Sequence, residues 1–259
     1  MFISEKTYNQ IPTKIISLVP SITELLADLG LENETVGITK FCVHPTNWYK
    51  NKIRIGGTKN VNISLVKTLQ PDLIICSKEE NIKEQVDELA AEFPVLLTDV
   101  CNFEDAIAMI KTIGNITQKN KEAENIISAI ETDFKKLDFA SKNTAAYIIW
   151  NNPLMTIGND TFIHNMMQHA GFENVFADAE RYPSISIEDL QQKNPDVILL
   201  SSEPYPFKEK HIAKFQALLP NTKILLVDGE IFSWYGSRMK YAASYFIDLQ
   251  NKIHNTNLH

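Results

Sequence analysis

Three short segments occur twice in this chain, once in each half and in the same order, and this repeat constrains the fold more than any other feature. The matching pairs are 30–33 with 171–174, 71–75 with 195–199, and 96–99 with 225–228. Any single match is common among α/β sequences, but three in one order indicate two lobes of similar build. The spacing between the matches differs, so the first lobe carries longer loops.

Short apolar runs alternate with helical patterns in both halves, which is typical of α/β folds with mainly parallel strands. The run 15–19 predicts a strand, and Ser21 with Glu24 three residues later predicts a capping box that opens a helix. The run 73–76 predicts another strand, and Asn81 after it is a candidate helix N-cap. We therefore predict an α/β protein with two Rossmann-like lobes and mainly parallel sheets.

One long amphipathic stretch lies between the repeated halves. Its apolar positions follow helical spacing along a single stripe, and they are Ala123, Ile126, Ile127, Ile130, Phe134 and Leu137. No linker rich in Gly, Ser or Pro occurs anywhere in the chain. We predict an N-terminal α/β lobe over 1–115, a connecting backbone helix over 116–138 that joins the lobes rigidly, and a C-terminal α/β lobe over 139–259.

Charge and hydropathy exclude several classes of protein. The chain has 25 Lys and Arg against 32 Asp and Glu and no basic run, so nucleic acid is not an expected partner. No apolar run approaches the roughly 20 residues of a membrane-spanning helix. The first residues are charged and lack the apolar stretch of a signal peptide, so a cytoplasmic protein is expected, with a periplasmic one as the alternative.

The sequence contains no recognisable catalytic or metal-binding motif. Cys42, Cys76 and Cys101 are too widely spaced for a disulfide framework or a CxxC metal site. Cys42 and His44 could supply two metal ligands, but nothing nearby supplies the others, so we predict no metal site, no catalytic residue and no intrinsic cofactor. The alternative to a binding protein is an intracellular enzyme or sensor that uses carboxylates or histidines of the site as acid–base groups.

The residues that follow the predicted strands are the candidates for ligand contact. In parallel α/β sheets, ligands lie beyond the carboxyl ends of the strands. Aromatic walls with a few polar anchors suit a wide, flat ligand, although the same rings could instead pack between the lobes. The predicted ligand-binding residues are Pro20, Ser21, Phe41, His44, Thr58, Lys59, Glu79, Glu80, Trp150, Met155, Arg181, Tyr205, Phe207, Phe232, Trp234, Tyr235 and Arg238.

Arginine is rare in this chain. Only Arg54, Arg181 and Arg238 occur among the 25 basic residues, and each lies in a predicted loop. Where lysine is the ordinary surface cation, arginine indicates a need for its planar fork of five donors. That fork could hold a carboxylate, phosphate or amide of a ligand, or it could form an internal salt bridge that ties loops together.

Several of these segments together resemble a known family. Three are similar to the helical-backbone substrate-binding proteins of ABC importers, which bind vitamin B12, ferric siderophores and haem: ISLVPSITELL at 16–26, GGTKN at 56–60 and LQPDLII at 69–75. Four more resemble a cobalamin-binding-like branch that lacks a signal peptide: KEEN at 78–81, DTFI at 160–163, SEPYPF at 202–207 and SWYGSR at 233–238. The resemblance covers nearly the whole chain.

The resemblance implies a non-enzymatic binding protein. Its expected ligand is a corrinoid such as vitamin B12, or a ferric siderophore or haem, held in a cleft between two lobes with little hinge motion. It also implies a periplasmic location and an ABC permease as partner. Members that dock on a permease present a glutamate on each lobe; the corresponding positions here are Ser64 and one near Ser233, with Glu230 as a candidate substitute for the second.

Overall fold

The computed structural model describes residues 1–139 and 142–255, and the chain divides into two units. The first unit combines Met1–Val100 and Glu104–Glu131 with a late segment, Trp234–Lys240. The second combines Cys101–Phe103 and Thr132–Ser233 with the described residues that follow the late segment. A short piece of the C-terminal half therefore packs as part of the first unit.

The first unit contains an α/β arrangement in its first hundred residues. Its strands are β1 (Ile15–Ser17), β2 (Thr35–Ile38), β3 (Ile53–Arg54), β4 (Gly56–Gly57), β5 (Asn60–Val61), β6 (Leu73–Ser77) and β7 (Val95–Thr98). The helices are α1 (Pro20–Asp28), α2 (Thr46–Asn51), α3 (Ile63–Leu69), α4 (Lys83–Glu92) and α5 (Phe103–Ile116), and α6 (Asn120–Phe134) leads into the second unit.

The second unit repeats the alternation of strands and helices. Its strands are β8 (Asn143–Ile148), β9 (Trp150–Asn151), β10 (Leu154–Met155), β11 (Phe172–Asn174), β12 (Val197–Ser201) and β13 (Lys223–Val227). The helices are α7 (Phe162–His169), α8 (Ile187–Lys193), α9 (Glu209–Leu218), α10 (Gly229–Ser233) and α11 (Ala242–Asn255), with a 3-10 helix (Ser237–Tyr241) between the last two.

Parallel pairing builds the main sheet of each unit. The strand order is β3-β2-β1-β6-β7 in the first unit and β11-β8-β12-β13 in the second, and all neighbouring strands in both sheets are parallel. β1, β6 and β12 are buried along their whole length, as expected for parallel strands that are covered on both faces. The predicted α/β fold with mainly parallel sheets is confirmed.

The sequence repeat corresponds to a structural repeat. The order β2-β1-β6-β7 in the first unit matches β11-β8-β12-β13 in the second, strand for strand. Asp72 precedes β6 and accepts hydrogen bonds from the backbone N–H and the hydroxyl of Thr13, at 2.8 and 2.7 Å. Asp196 precedes β12 and accepts the same two bonds from Thr144, also at 2.8 and 2.7 Å. Each aspartate thus joins the amino ends of two neighbouring strands.

Each unit has its own hydrophobic core between sheet and helices. In the first unit it joins β1 and β6 to α3 and α4 through Ile16, Ile74, Val66 and Val86. In the second unit it joins β8 and β12 to α8 and α9 through Ile148, Ile198, Leu190 and Phe215. Covering one face of each sheet in this way leaves the carboxyl ends of the strands free to carry loops.

The connecting helix is shorter than the sequence predicts. The apolar stripe predicts one helix over 116–138, whereas the structure has a turn between α5 and α6 and ends α6 four residues earlier. Gln118 in that turn has a left-handed backbone with φ of 56°, and the Lys119 N–H donates to the Gly114 carbonyl at 2.8 Å, which closes the end of α5. A stripe of apolar residues carries no information about such a turn.

Candidate ligand-binding site

The predicted ligand-binding residues of the first unit gather at one edge of its sheet. β1, β2 and β6 are parallel, so their carboxyl ends lie at the same edge. The predicted residues that follow these strands are Pro20 and Ser21 at the start of α1, Phe41 and His44 after β2, and Glu79 and Glu80 after β6. We call this the carboxyl edge of the first unit.

Asn81 ties a hairpin to this edge. Thr58 and Lys59 form the turn of the β4–β5 hairpin, and the Asn81 amide donates to the carbonyls of Thr58 at 2.9 Å and Leu18 at 3.3 Å. The amide oxygen accepts from the Ser77 N–H at 2.8 Å. The predicted N-cap role of Asn81 is wrong, because α4 begins two residues further on. Asn81 is a positioning residue that sequence reasoning missed, because its partners Leu18 and Thr58 are distant along the chain.

Phe41 offers an exposed aromatic ring at this edge. The side chain is 50% exposed, and Lys40 Nζ lies 5.1 Å from the ring centroid. A Cβ at Gly57 would lie 3.2 Å from Phe41 Cε2, so the lack of a side chain there lets the ring lie against β4. The ring is held by the hairpin and still leaves apolar surface available to a ligand.

Cys42 lies in the same loop as a buried, neutral thiol. Its sulfur accepts a hydrogen bond from the Thr23 hydroxyl at 3.0 Å and lies 3.2 Å from the Thr39 hydroxyl. Burial raises the pKa of the thiol to about 11, so the thiolate that binds metals is not populated at neutral pH. Within residues 1–139 and 142–255, no three His, Cys, Asp or Glu side chains are grouped so that they could hold a metal ion.

A partly buried ion pair holds the late segment Trp234–Lys240 on α1. Arg238 donates from Nε and Nη2 to the two carboxylate oxygens of Glu24, at 2.8 and 2.7 Å, and these side chains are 13% and 17% exposed. Lys240 and Asp28 form a second pair at 2.9 Å. The predicted capping box is wrong, since the Glu24 carboxylate binds Arg238 and the N-cap position of α1 makes no side-chain bond.

The same arginine covers Trp234. The Arg238 guanidinium carbon lies 4.7 Å from the indole centroid, and the His44 ring meets the indole edge-on at 5.5 Å. Trp234 and Tyr235 are only 7% and 4% exposed. Arg238 therefore occupies a face of the indole that a stacked ligand would need, and ligand contact by these two rings stays a prediction.

The other two arginines also have partners within their own units. Arg54 donates to the Tyr49 carbonyl at 2.8 Å and lies over the Tyr49 ring. Arg181 pairs with Asp160 at 3.8 Å, and its backbone N–H donates to the same carboxylate at 2.6 Å. For Arg181 and Arg238, the structure shows the internal salt bridge that the sequence left open as one of two roles.

The second unit has a hollow at the carboxyl ends of β12 and β13. We call it the acidic hollow; its volume is about 560 Å³ and it is lined by Ser202, Glu203, Leu226, Val227, Asp228 and Glu230. The described residues that line it include three carboxylates and neither Lys nor Arg. A Cβ at Gly229 would lie 2.5 Å from the Ser201 hydroxyl oxygen, so glycine permits the close approach of the two loops. The hollow suits groups that donate hydrogen bonds or carry positive charge.

Hydrogen bonds orient the Glu203 and Asp228 carboxylates of the acidic hollow. The Ser233 hydroxyl donates to Glu203 Oε1 at 2.7 Å. Asp228 Oδ1 accepts from the Glu230 N–H at 3.0 Å, and the Asp228 N–H donates to the Tyr245 hydroxyl at 2.8 Å. A ligand would therefore meet the Glu203 and Asp228 carboxylates already in place.

An aromatic cluster follows β8 and β12. Trp150 is 38% exposed and meets Tyr205 edge-on at 5.7 Å, and Tyr205 meets Phe207 at 4.7 Å. The Tyr205 hydroxyl lies 3.3 Å from His211 Nε2, and Met155 pairs with Trp150 in the β9–β10 hairpin. Trp150 is accessible to a ligand, whereas Phe207 is 5% exposed and belongs to the core of the second unit.

Phe232 lies in the core and not at a ligand-accessible surface, which corrects its predicted role. The side chain is fully buried, with the rings of Tyr147 and Phe246 at 5.1 and 5.0 Å. Glu230 lines the acidic hollow two residues earlier, and two residues along a helix turn a side chain by about 200°. The spacing along α10 therefore sends Phe232 into the core.

Comparison of the sequence with models of known protein families identifies the family of this chain. Residues 15–219, which run from β1 to the end of α9, match the periplasmic binding protein family. The chain belongs to that family. Periplasmic binding proteins are substrate-binding proteins, so the resemblance noted in the sequence and the predicted substrate-binding role are confirmed at this level.

Two curated relatives and one solved structure illustrate the similarity. The uncharacterized ABC transporter substrate-binding lipoprotein YvrC of Bacillus subtilis is 28% identical over 206 residues, 74% of this chain and 65% of the relative. The vitamin B12-binding protein of Pectobacterium carotovorum is 22% identical over 90% of this chain and 86% of its own length. The periplasmic haem-binding protein RhuT from Roseiflexus sp. RS-1 has the same fold, with a TM-score of 0.78 at 19% identity over 93% of this chain and 98% of its own.

Proposed function

We propose that this periplasmic binding protein binds a corrinoid at the carboxyl edges of its sheets and hands it to an ABC importer. Family membership and the likeness to a vitamin B12-binding protein support a large chelate as the ligand. The likeness to a haem-binding protein also supports a large chelate, but this chelate is haem and not a corrinoid. The choice between corrinoid and haem follows from charge.

The acidic hollow is the observation that favours a corrinoid. A corrinoid carries neutral primary amides around its ring, and each amide N–H that reaches a carboxylate forms a charge-assisted hydrogen bond of about 1.5–3 kcal/mol. Haem carries ionised propionates instead. Two like charges 4 Å apart repel by about 4 kcal/mol at an effective dielectric constant near 20. Glu203, Asp228 and Glu230 therefore favour the ligand that donates and disfavour the anion.

Exposed rings supply the apolar part of the proposed contact. Phe41 in the first unit and Trp150 in the second are the predicted aromatic residues with large exposed surfaces, at 50% and 38%. Each is held by neighbours, Phe41 by the β4–β5 hairpin and Trp150 by a bond from its indole N–H to the Asn152 carbonyl at 3.0 Å. Rigid rings lose little entropy when a flat ligand covers them.

Calorimetric titration with dicyanocobinamide, cyanocobalamin and haemin tests the proposal. We expect both corrinoids to bind more tightly than haemin. The double variant Glu203→Gln/Glu230→Gln should weaken dicyanocobinamide and strengthen haemin, shifting the ratio of their Kd values by about tenfold or more, which corresponds to about 1.4 kcal/mol. The control Glu188→Gln/Glu209→Gln removes the same charge from exposed positions on α8 and α9 and should leave the ratio unchanged.

Two results would contradict the corrinoid proposal. One is a wild-type protein that binds haemin more tightly than either corrinoid. The other is the absence of any binding tighter than millimolar for all three compounds. An enzyme that uses His44, Glu79 or Glu80 would instead convert its ligand, so mass spectrometry of the recovered corrinoid separates that alternative from simple binding.

The partner and location follow from the family and are part of the proposal. YvrC is named a substrate-binding lipoprotein of an ABC transporter, which supports a permease as partner and a place outside the cytoplasm. The cytoplasmic location expected from the first residues has no support from these relatives. Ser64 is exposed on α3, and the Ser233 hydroxyl is bonded to Glu203, so docking would use other groups than glutamates at these positions. In the described part of the chain, no helix has both the length and the apolar character needed to cross a membrane.

A further inference from the structure

The second unit has another hollow, which none of the predicted ligand-binding residues lines. We call it the flank hollow; its volume is about 240 Å³ and it is lined by Asn151, Leu154, Ser186, Ile187, Lys214, Phe215 and Leu218. It lies between the β9–β10 hairpin, the start of α8 and the second half of α9. No lining residue is shared with the acidic hollow, so this is a separate feature of the unit.

The floor of the flank hollow is apolar and well supported. Phe215 is 2% exposed and belongs to the core of the second unit, and Leu154 and Ile187 pack against that core. Leu218 is 40% exposed, so part of its aliphatic side chain is in contact with water. An apolar group seated here would cover surface that water now contacts.

Among the described residues that line the flank hollow, Lys214 is the one with a positive charge. Lys214 is exposed, and its side-chain ammonium makes no hydrogen bond or ion pair with any residue in the described ranges. The neighbouring carboxylate of Asp189 is engaged elsewhere, because it accepts from the N–H and the hydroxyl of Ser186 at 2.7 and 2.9 Å. The Asn151 amide nitrogen donates to the Tyr205 hydroxyl at 3.3 Å. In a chain of net charge −7, an uncompensated ammonium over an apolar floor is complementary to an anion with an apolar body.

We propose that the flank hollow binds a small monocarboxylate with an apolar body, such as an arylalkanoate. Lys214 pairs with the carboxylate, and Phe215 and Leu218 contact the body. The volume lies below the roughly 300–1,000 Å³ of pockets for drug-sized ligands, which limits the ligand to one ring or a short chain. This proposal does not rest on corrinoid binding, because the flank hollow and the acidic hollow share no lining residue.

Titration of the full chain with 4-phenylbutyrate, followed by NMR or calorimetry, tests this site. We expect saturable binding with Kd on the order of 1 mM or tighter, the scale for a ligand of about a dozen heavy atoms. The neutral amide 4-phenylbutanamide should bind about tenfold more weakly. Lys214→Gln should reduce the affinity for the acid about tenfold and leave the amide unaffected. Lys210→Gln removes the same charge from α9 one turn earlier and should change neither.

The proposal is overturned if the acid shows no saturation, if acid and amide bind equally, or if the two lysine variants have the same effect. Leu218→Asn keeps the charge and removes the apolar contact, so it should weaken acid and amide alike; an unchanged affinity for both would also overturn it. Failure of corrinoid binding has no bearing on these outcomes, because the probe and the variants involve the flank hollow alone.

Discussion

Loss of the carboxylate at Glu24 should destabilise the first unit by several times more than loss of an ordinary surface charge. Arg238 holds both oxygens of Glu24, and the two side chains are 13% and 17% exposed. Breaking a buried pair costs about 3–5 kcal/mol, whereas an exposed pair contributes about 0–1 kcal/mol. Glu24→Gln retains one neutral acceptor, and the stacking of Arg238 on Trp234 persists. We therefore expect a loss of about 2–4 kcal/mol.

The Lys240–Asp28 pair provides a control on the same helix and the same late segment. Its side chains are 28% and 39% exposed, so Asp28→Asn should cost no more than about 1 kcal/mol. A Trp150→Phe background leaves Trp48 and Trp234 as the remaining tryptophans, both in the first unit. Urea unfolding followed by their fluorescence then reports on that unit alone.

A double-mutant cycle isolates the interaction of the two charges. Glu24→Gln, Arg238→Met and the double variant should give a coupling energy of about 1.5–3 kcal/mol, and the double variant should recover part of the stability lost by Glu24→Gln. The reasoning is refuted if Glu24→Gln and Asp28→Asn cost the same, or if the coupling energy is below about 0.5 kcal/mol.

Three further changes have expected outcomes. Asn81→Ala should lower the free energy of unfolding by about 1–3 kcal/mol and speed hydrogen exchange at the end of β6, because the N–H of the buried Ser77 loses its acceptor. Unchanged exchange would contradict this. Gly229→Ala should cost about 1–3 kcal/mol in urea unfolding, since its Cβ would lie 2.5 Å from a hydroxyl oxygen; a neutral variant would show that the loop yields. Burial raises the thiol pKa of Cys42 to about 11 and that of Cys76 to about 12, from an ordinary 9.0. The native protein should therefore react with a thiol reagent at Cys101 alone, and rapid reaction of all three thiols at pH 8 would contradict this. The stability of the fold should fall as pH rises above 9, because Cys42 and Cys76 ionise there only in the unfolded chain.

The repeated segments were enough to predict the fold because they mark equivalent points of two similar sheets. Asp72 and Asp196 recur in sequence and make the same two hydrogen bonds at the same places in their units. Alternation of apolar runs with helical patterns reports burial directly, so strands and their parallel arrangement followed from it. The turn at Gln118 did not follow, since one left-handed residue leaves no periodic signal.

The candidate site was predictable in position but not in detail. Loops after β1, β2, β6, β12 and β13 could be named from the sequence, because ligands of parallel sheets lie at the carboxyl ends. Which side chains point outward could not: Phe232 packs into the core, and Trp234 lies beneath Arg238. The partnership of Glu24 with Arg238 spans 214 positions, and local spacing says nothing about contacts at that distance.

Hydrogen–deuterium exchange with and without dicyanocobinamide tests most directly whether a corrinoid binds at both carboxyl edges. We expect slower exchange in the ligand-bound protein at 39–44 and 56–60 of the first unit and at 202–207 and 226–230 of the second. The flank hollow at 186–187 and 214–218 should exchange as in the free protein. Slowing confined to other segments, or identical exchange at saturating cobinamide, would contradict the assignment of these loops to ligand binding.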